Sequence, residues 1–290
     1  MRLATYQHAG RRQVGIVDGE HLRPLALDAA EADRGVLALV QRAAQGLPPP
    51  DAGAAPLALS AVQLEAPFPR PQRNIFCVGR NYHAHAKELR ETVFKDSPQD
   101  VQSWPIVFTK VPECVIGPGA AVRLPTRIST QIDYEAELAV VIGRGGRNIR
   151  REDALQHVWG YTIVNDVTAR DVQMRHQQWD LGKSFDTFCP MGPWAVTADE
   201  LDGTATRVRC WVNGELRQDA RTEDLIFDIP TLIETCSRGI TLLPGDLIAT
   251  GTPAGVGMGL NPPRWLQHGD VVRVTIDGIG TLENRFIEES

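Results

Sequence analysis

Glu135 and Glu137 stand two residues apart in the run Gln131–Gly143. The apolar, β-branched stretch from Leu138 to Ile142, closed by turn-forming Gly143, Gly145 and Gly146, predicts a β-strand there. Residues two apart on a strand share a face, so both carboxylates point the same way, with Ala136, Leu138, Val140 and Ile142 opposite. Adjacent carboxylates repel unless a proton or a cation lies between them, and Mg²⁺, Mn²⁺ and Ca²⁺ accept oxygen ligands of this kind. The plain alternative is an edge strand carrying two solvated glutamates, and Glu-x-Glu alone favours it. His85 and Glu88, three apart in a predicted helix from about His83 to Glu91, share a helix face. A carboxylate there would fix the imidazole tautomer and raise its basicity, although a chance pair on a surface helix fits the pattern as well. Asp166 follows the predicted strand Gly160–Val164 and suits either a third metal carboxylate or an N-cap. Lys183, beside Gly182 in a loop of aromatics and prolines, could hold a cation near a substrate oxygen or be an exposed loop lysine.

The elements that must position these groups are mostly short strands. Residues 1–46 read as a small α+β unit: strands Leu3–Gln7, Val14–Val17 and His21–Leu25, then one helix capped by Asp28 and running through Ala44. Its buried stripe is Val36, Leu37, Leu39, Val40 and Ala43, with Gly46 as its stop. Leu47–Gly53 is Pro/Gly-rich and reads as a linker, which places a domain boundary near residue 70: a small unit over 1–70 and a catalytic unit over 71–290. The second unit is dense in strands, among them Asn74–Val78, Pro105–Lys110, Arg207–Asn213, Val271–Ile276 and Gly280–Phe286, with a helix at Ile229–Ser237. Polar residues 92–104 read as a loop that could act as a lid.

Composition narrows the class. The 290 residues carry a formal net charge of −6 and no basic block, which argues against nucleic acid or an anionic membrane as partner. The N-terminus turns polar too early for a signal peptide, and no apolar run approaches the roughly 20 residues of a membrane span. The five cysteines are scattered, without Cys-x-x-Cys, and read as reduced thiols in a cytoplasmic protein. Gly251–Gly259 lacks a Gly-Lys-Ser/Thr signature and Gly-x-Ser-x-Gly is absent, so nucleotide-binding and serine-hydrolase chemistry are disfavoured. Cys77 and Cys189 carry no signature of a nucleophile.

Five blocks, in order, resemble the fumarylacetoacetate hydrolase superfamily over about residues 70–288. They are Gly79-Arg80-Asn81-Tyr82 with His85 and Glu88; Asp133-Tyr134-Glu135-Ala136-Glu137; Asn165–Gln173; Leu181–Phe188; and Pro244-Gly245-Asp246 through Gly251-Thr252-Pro253. The 181–193 segment is most similar to the mammalian domain-containing protein 2 type, and the chain is also similar to bacterial 2,4-diketo-acid hydrolases. The resemblance implies an α+β, mainly β fold, a mixed β-sandwich or roll with short flanking helices and a small N-terminal domain, assembled as a homodimer. It implies a Mg²⁺ or Mn²⁺ site (Ca²⁺ could stand in for either in crystals) with Glu135, Glu137 and Asp166 as ligands. It implies His85 and Glu88 as a base dyad on a lid, Lys183 as the catalytic cation, and Arg170, Gln173 and Thr252 as substrate contacts. Fumarylacetoacetate hydrolase itself has a further aspartate ligand; near Val78-Gly79 this chain has no carboxylate, so a water is expected in its place.

The implied substrates are 2-oxo or 2,4-dioxo acids, whose carboxylate and 2-oxo oxygen can chelate a metal that stabilises an enolate. The leading expectation is hydrolysis of the C3–C4 bond of a 2,4-dioxo acid of the acylpyruvate type, with His85 activating water and Lys183 meeting the developing charge. The alternatives from the same enolate are keto–enol tautomerisation of oxaloacetate, a hydroxymuconate-type isomerisation, or oxaloacetate decarboxylation. A metabolite-binding module with a degenerate site is the non-enzymatic alternative.

Overall fold

The computed structural model describes residues 1–92, 103–175 and 178–289, without the side chains of 89–92. The lid expectation over 92–104 therefore falls almost wholly outside the described residues.

The first strand signals fold as Arg2–His8, Arg11–Asp18 and His21–Pro24, paired antiparallel with Leu3 opposite Ile16 and Gly15 opposite Pro24. The single helix expected from Asp28 to Ala44 is instead two. Asp28 caps Ala29–Asp33 through a reciprocal capping box with Glu31, and a second helix runs Val36–Ala44. The break is at Gly35, whose φ of 63° lies in the left-handed region and where a Cβ would sit 2.5 Å from Thr5 Oγ1. The turn lets Val36, Leu37, Ala38, Leu39 and Val40 all be buried.

Arg2–His8 also pairs with Cys189–Thr197, Arg2 opposite Val196 and Leu3 opposite Ala195. One mixed sheet of twelve strands thereby runs from the N-terminal segment through the later chain. The half of the sheet away from the N-terminal segment carries Val158–Asn165, Ala136–Ile142, Leu247–Ala249, Ile75–Gly79 and, at its edge, Ile106–Lys110 side by side. A second sheet of five strands contains Glu215–Arg221, Arg207–Val212, Val271–Ile276, Gly280–Glu288 and Val122–Leu124. Asn213 and Gly214, at φ of 51° and 82°, turn its first hairpin as an Asn-Gly pair is expected to. The helix Ile229–Ser237 starts where Asp228 accepts a hydrogen bond from the Thr231 N–H.

The principal core lies where the two sheets face each other, joining Leu138, Val140 and Ile163 to Val208, Val274 and Leu282. A second core ties Leu3, Val36 and Leu37 to Ile75, Ala139, Val141 and Leu247. The fold is α+β and mainly β. No described helix is long and apolar enough to cross a membrane.

Candidate active site and metal centre

Ala136–Ile142 is an interior strand, not the edge strand of the plainer expectation. It lies between Val158–Asn165 and Leu247–Ala249, and all seven of its residues are buried. Helices, loops and the second sheet cover both of its faces, so its apolar run need not alternate. The two glutamates are correspondingly desolvated, Glu135 at 5% and Glu137 at 1% exposure. Register supplies the third carboxylate. Ala136 is opposite Asn165, the Asn165 side chain accepts from the Glu135 N–H at 3.0 Å, and the Asp166 N–H donates to the Glu135 carbonyl at 2.8 Å. Carboxylate oxygens of Glu135, Glu137 and Asp166 come within 4.8 Å of one another. Asp166 caps no helix, since its carboxylate is engaged by two lysines.

Lys183 ends the short helix Asp180–Lys183 and is 1% exposed. Its Nζ donates to Glu135 Oε2 and Asp166 Oδ2, both at 2.7 Å, and stands 4.8 Å from the centre of the Phe108 ring. Gly182 is needed beside it: a Cβ there would meet the Gln173 backbone nitrogen at 2.5 Å. Arg170 is also buried. Its Nε donates to Asp133 Oδ2 at 2.9 Å, Nη1 to Gln173 Oε1 at 3.1 Å, and Nη2 pairs with Glu135 Oε1 at 2.7 Å.

His85 and Glu88 lie on the helix His83–Thr92, with Nδ1 of the 2%-exposed imidazole 3.0 Å from Glu88 Oε2. The surface-helix alternative therefore fails for His85. Glu88 Oε1 accepts from the Gly255 N–H at 3.0 Å, which ties the helix to the loop following Leu247–Ala249. In that loop Thr252 Oγ1 donates to the Ala136 carbonyl at 3.1 Å and accepts from Gln218 at 2.7 Å.

These groups surround one cleft of about 400 Å³, including its open mouth. His85, Glu135, Glu137, Arg170, Gln173, Lys183 and Thr252 line it, while Asp166 lies beneath. Three further residues belong to the arrangement and carry no role in the sequence analysis. Lys110, fully buried, donates to Asp166 Oδ1 at 2.7 Å and to the Lys183 carbonyl. Asp133 takes up Arg170. Arg80 lines the cleft with its backbone at φ 53° and its guanidinium 5.9 Å from the Trp179 ring. The signal for Asp133 and Arg80 was their membership of the motif blocks. Lys110 offered only its place on the face of Phe108.

Electrostatics separates the three carboxylates. Burial alone would raise Glu135, but Lys183 and then Arg170 bring it down to about 2. Burial pushes Glu137 well above the usual carboxylate range, and Asp166 and Glu135 push it further. Glu137 accepts one hydrogen bond, from the Gly251 N–H at 2.9 Å, and makes no ion pair among the described residues. Glu135 and Asp166 are each met by two buried cations, Arg170 and Lys183 on the first and Lys110 and Lys183 on the second, whereas Glu137 meets none among the described residues. An all-oxygen donor set within 4.8 Å, one member of which lacks a cation partner among the described residues, suits a hard divalent cation.

Comparison with known proteins agrees with this geometry. The family description "Fumarylacetoacetate (FAA) hydrolase C-terminal" matches residues 74–287. The chain is 50% identical over 259 residues to oxaloacetate tautomerase YisK of Bacillus subtilis (strain 168), covering 89% of this chain and 84% of that protein. Among solved structures it is similar to a fumarylacetoacetate hydrolase from psychrophilic Exiguobacterium antarcticum, at TM-score 0.85 and 39% identity over 100% of both chains. It is similar also to a maleylpyruvate hydrolase from Sphingobium sp. SYK-6 in complex with manganese(II) and pyruvate, at TM-score 0.80 and 33% identity over 100% of both chains. With most of its length matched and its acidic cluster at the centre of the sheet, the chain belongs to the fumarylacetoacetate hydrolase family.

Proposed function

We propose that this protein is a divalent-metal-dependent enzyme that enolises a small 2-oxo acid, and that its reaction is keto–enol tautomerisation of oxaloacetate. The observation that carries the proposal is that His85, hydrogen-bonded to Glu88, lines one small cleft together with Glu135, Glu137 and Lys183 of the buried carboxylate cluster. A cation held by Glu135, Glu137 and Asp166, either Mg²⁺ or Mn²⁺, would supply a Lewis acid that polarises the 2-oxo group. His85, with Nδ1 held by Glu88, takes a proton from C3 through its other ring nitrogen. The Lys183 ammonium stabilises the charge that develops on the 2-oxo oxygen. The same imidazolium returns the proton to that oxygen to complete the enol, so atoms and charge balance without water or leaving group. Arg170, Gln173 and Thr252 are assigned to the walls that hold the substrate. The similarity to the Bacillus subtilis tautomerase supports this choice over cleavage.

Hydrolysis of a 2,4-dioxo acid is the second reading, favoured by the likeness to the maleylpyruvate hydrolase. It needs water in the same cleft, with His85 taking its proton. The five buried free cysteines support a reducing, cytoplasmic setting, and a homodimer completes the proposal. Turnover of oxaloacetate and a panel of acylpyruvates, followed by mass, separates the two readings. A tautomerase changes the enol fraction of oxaloacetate at constant mass, whereas a hydrolase splits an acylpyruvate into two acids. A protein inert to the whole panel with Mg²⁺ or Mn²⁺ present would overturn both.

A further inference from the structure

We infer that Asp133 is the positioning residue of this site, holding both a metal ligand and the roof of the cleft. Its carboxylate is 0% exposed and accepts four hydrogen bonds, an unusually complete set for one side chain. Oδ2 accepts from Arg170 Nε at 2.9 Å and from the Met258 N–H at 3.0 Å. Oδ1 accepts from the Gly257 N–H at 2.7 Å and from the Tyr134 N–H at 2.9 Å. The arginine it fixes reaches Glu135 Oε1 at 2.7 Å, so the orientation of that glutamate depends on Asp133 through one rigid guanidinium. Met258 lines the cleft, and Tyr134 Oη donates to the Gly255 carbonyl at 2.8 Å. The neighbours Asp133 and Tyr134 thus hold both ends of the 255–258 segment, on whose Gly255 N–H the Glu88 carboxylate rests. One carboxylate that never touches the reacting atoms therefore links the metal ligand, the cleft roof and the base dyad.

The inference rests on the proposed metal site but not on the choice of reaction. In Asp133→Asn the full charge of Arg170 turns on Glu135, and the cluster loses one negative charge. Both effects weaken cation binding. The test is Mn²⁺ binding to the EDTA-stripped full-length protein, read by calorimetry and by electron paramagnetic resonance. The expected result is a Kd raised ~10- to 100-fold, the usual range for loss of a residue that orients a metal ligand. The circular dichroism spectrum should be retained. Arg170→Lys keeps the charge but loses the fork joining Asp133 to Glu135; it should show the same loss, and it carries the test if Asp133→Asn does not fold. An unchanged Kd in either folded variant overturns the inference whatever reaction the enzyme performs. A tautomerase assay that fails while these Kd shifts appear would overturn the reaction and leave the positioning role standing.

Discussion

Lys183 Nζ lies 2.7 Å from Glu135 Oε2, with 1% and 7% of the two side chains exposed. The same ammonium reaches Asp166 at 2.7 Å, so one lysine bridges two of the three candidate metal ligands and leaves Glu137 as the carboxylate without an ion pair among the described residues. Removing the lysine therefore leaves Glu135 with Arg170 alone and Asp166 with Lys110 alone, and takes away the proposed catalytic cation. Lys183→Met is expected to lower kcat ~100- to 1000-fold, the usual loss for one electrostatic stabiliser of an oxyanion. In EDTA it should also lose stability, but less than a fully broken buried pair would cost, because each carboxylate keeps one cation. Added Mn²⁺ should restore part of that stability, measured by thermal unfolding.

The dyad makes a narrower prediction. Glu88→Gln keeps the size of the side chain but removes the charge that orients His85 at 3.0 Å. It should lower kcat while leaving KM nearly unchanged, and His85→Ala should cost ~100- to 10,000-fold as the loss of a general base. Equal losses in a variant of the exposed helix residue Lys87 would argue that the helix, not the dyad, is responsible.

The pH dependence of stability follows from two carboxylates shifted in opposite directions. The folded value of Glu137 lies well above the usual 4.5, so the native protein holds a proton that the unfolded chain has released. Its contribution is complete below 4.5 and is lost as pH rises from there towards the folded value. Glu135, held at about 2, contributes above 4.5 and loses its contribution as pH falls from 4.5 to about 2. In EDTA, the Glu137 contribution should therefore lower Tm as pH rises above about 5. Saturating Mn²⁺, which takes the place of the proton, should flatten that fall. A Glu137→Gln variant in EDTA should lose the same slope.

The N-terminal segment offers a test at the level of the fold. Leu3, Val36 and Leu37 share a core with Ala139, Val141 and Leu247, and Arg2–His8 covers the edge of Cys189–Thr197. A chain beginning at residue 71 exposes that core and an unpaired strand edge. It is expected to aggregate on size-exclusion chromatography, whereas a soluble, active fragment would show that the two parts are separable.

Much of the site was legible because it depends on short-range periods. The parity of Glu135 and Glu137 follows from the two-residue period of a strand, and the His85–Glu88 pair from the turn of a helix. Asp166 was placed at a strand end, which is where the Ala136–Asn165 register needs it. The burial of that strand was not legible, since an apolar run reads alike whether one sheet neighbour or two flank it. Lys183 has no periodic signal in a helix of four residues; its setting beside Gly182 among aromatics and prolines marked it, with an exposed loop lysine as the alternative. Lys110 was missed because its partner Asp166 is 56 residues away, joined through sheet pairing that no local pattern reports. Gly35 was read through as helix because a lone glycine is tolerated there; its left-handed φ is imposed by contacts with Thr5 and Pro67.

The central claim is that three buried carboxylates hold one divalent cation on which enolisation depends. The most direct measurement is the rate of oxaloacetate keto–enol interconversion by EDTA-stripped protein during back-titration with Mg²⁺ or Mn²⁺. The rate should fall to that of buffer alone in EDTA and return at about one ion per chain, as expected for a single site of this ligand type. Full activity in excess EDTA, with no metal bound, would contradict it.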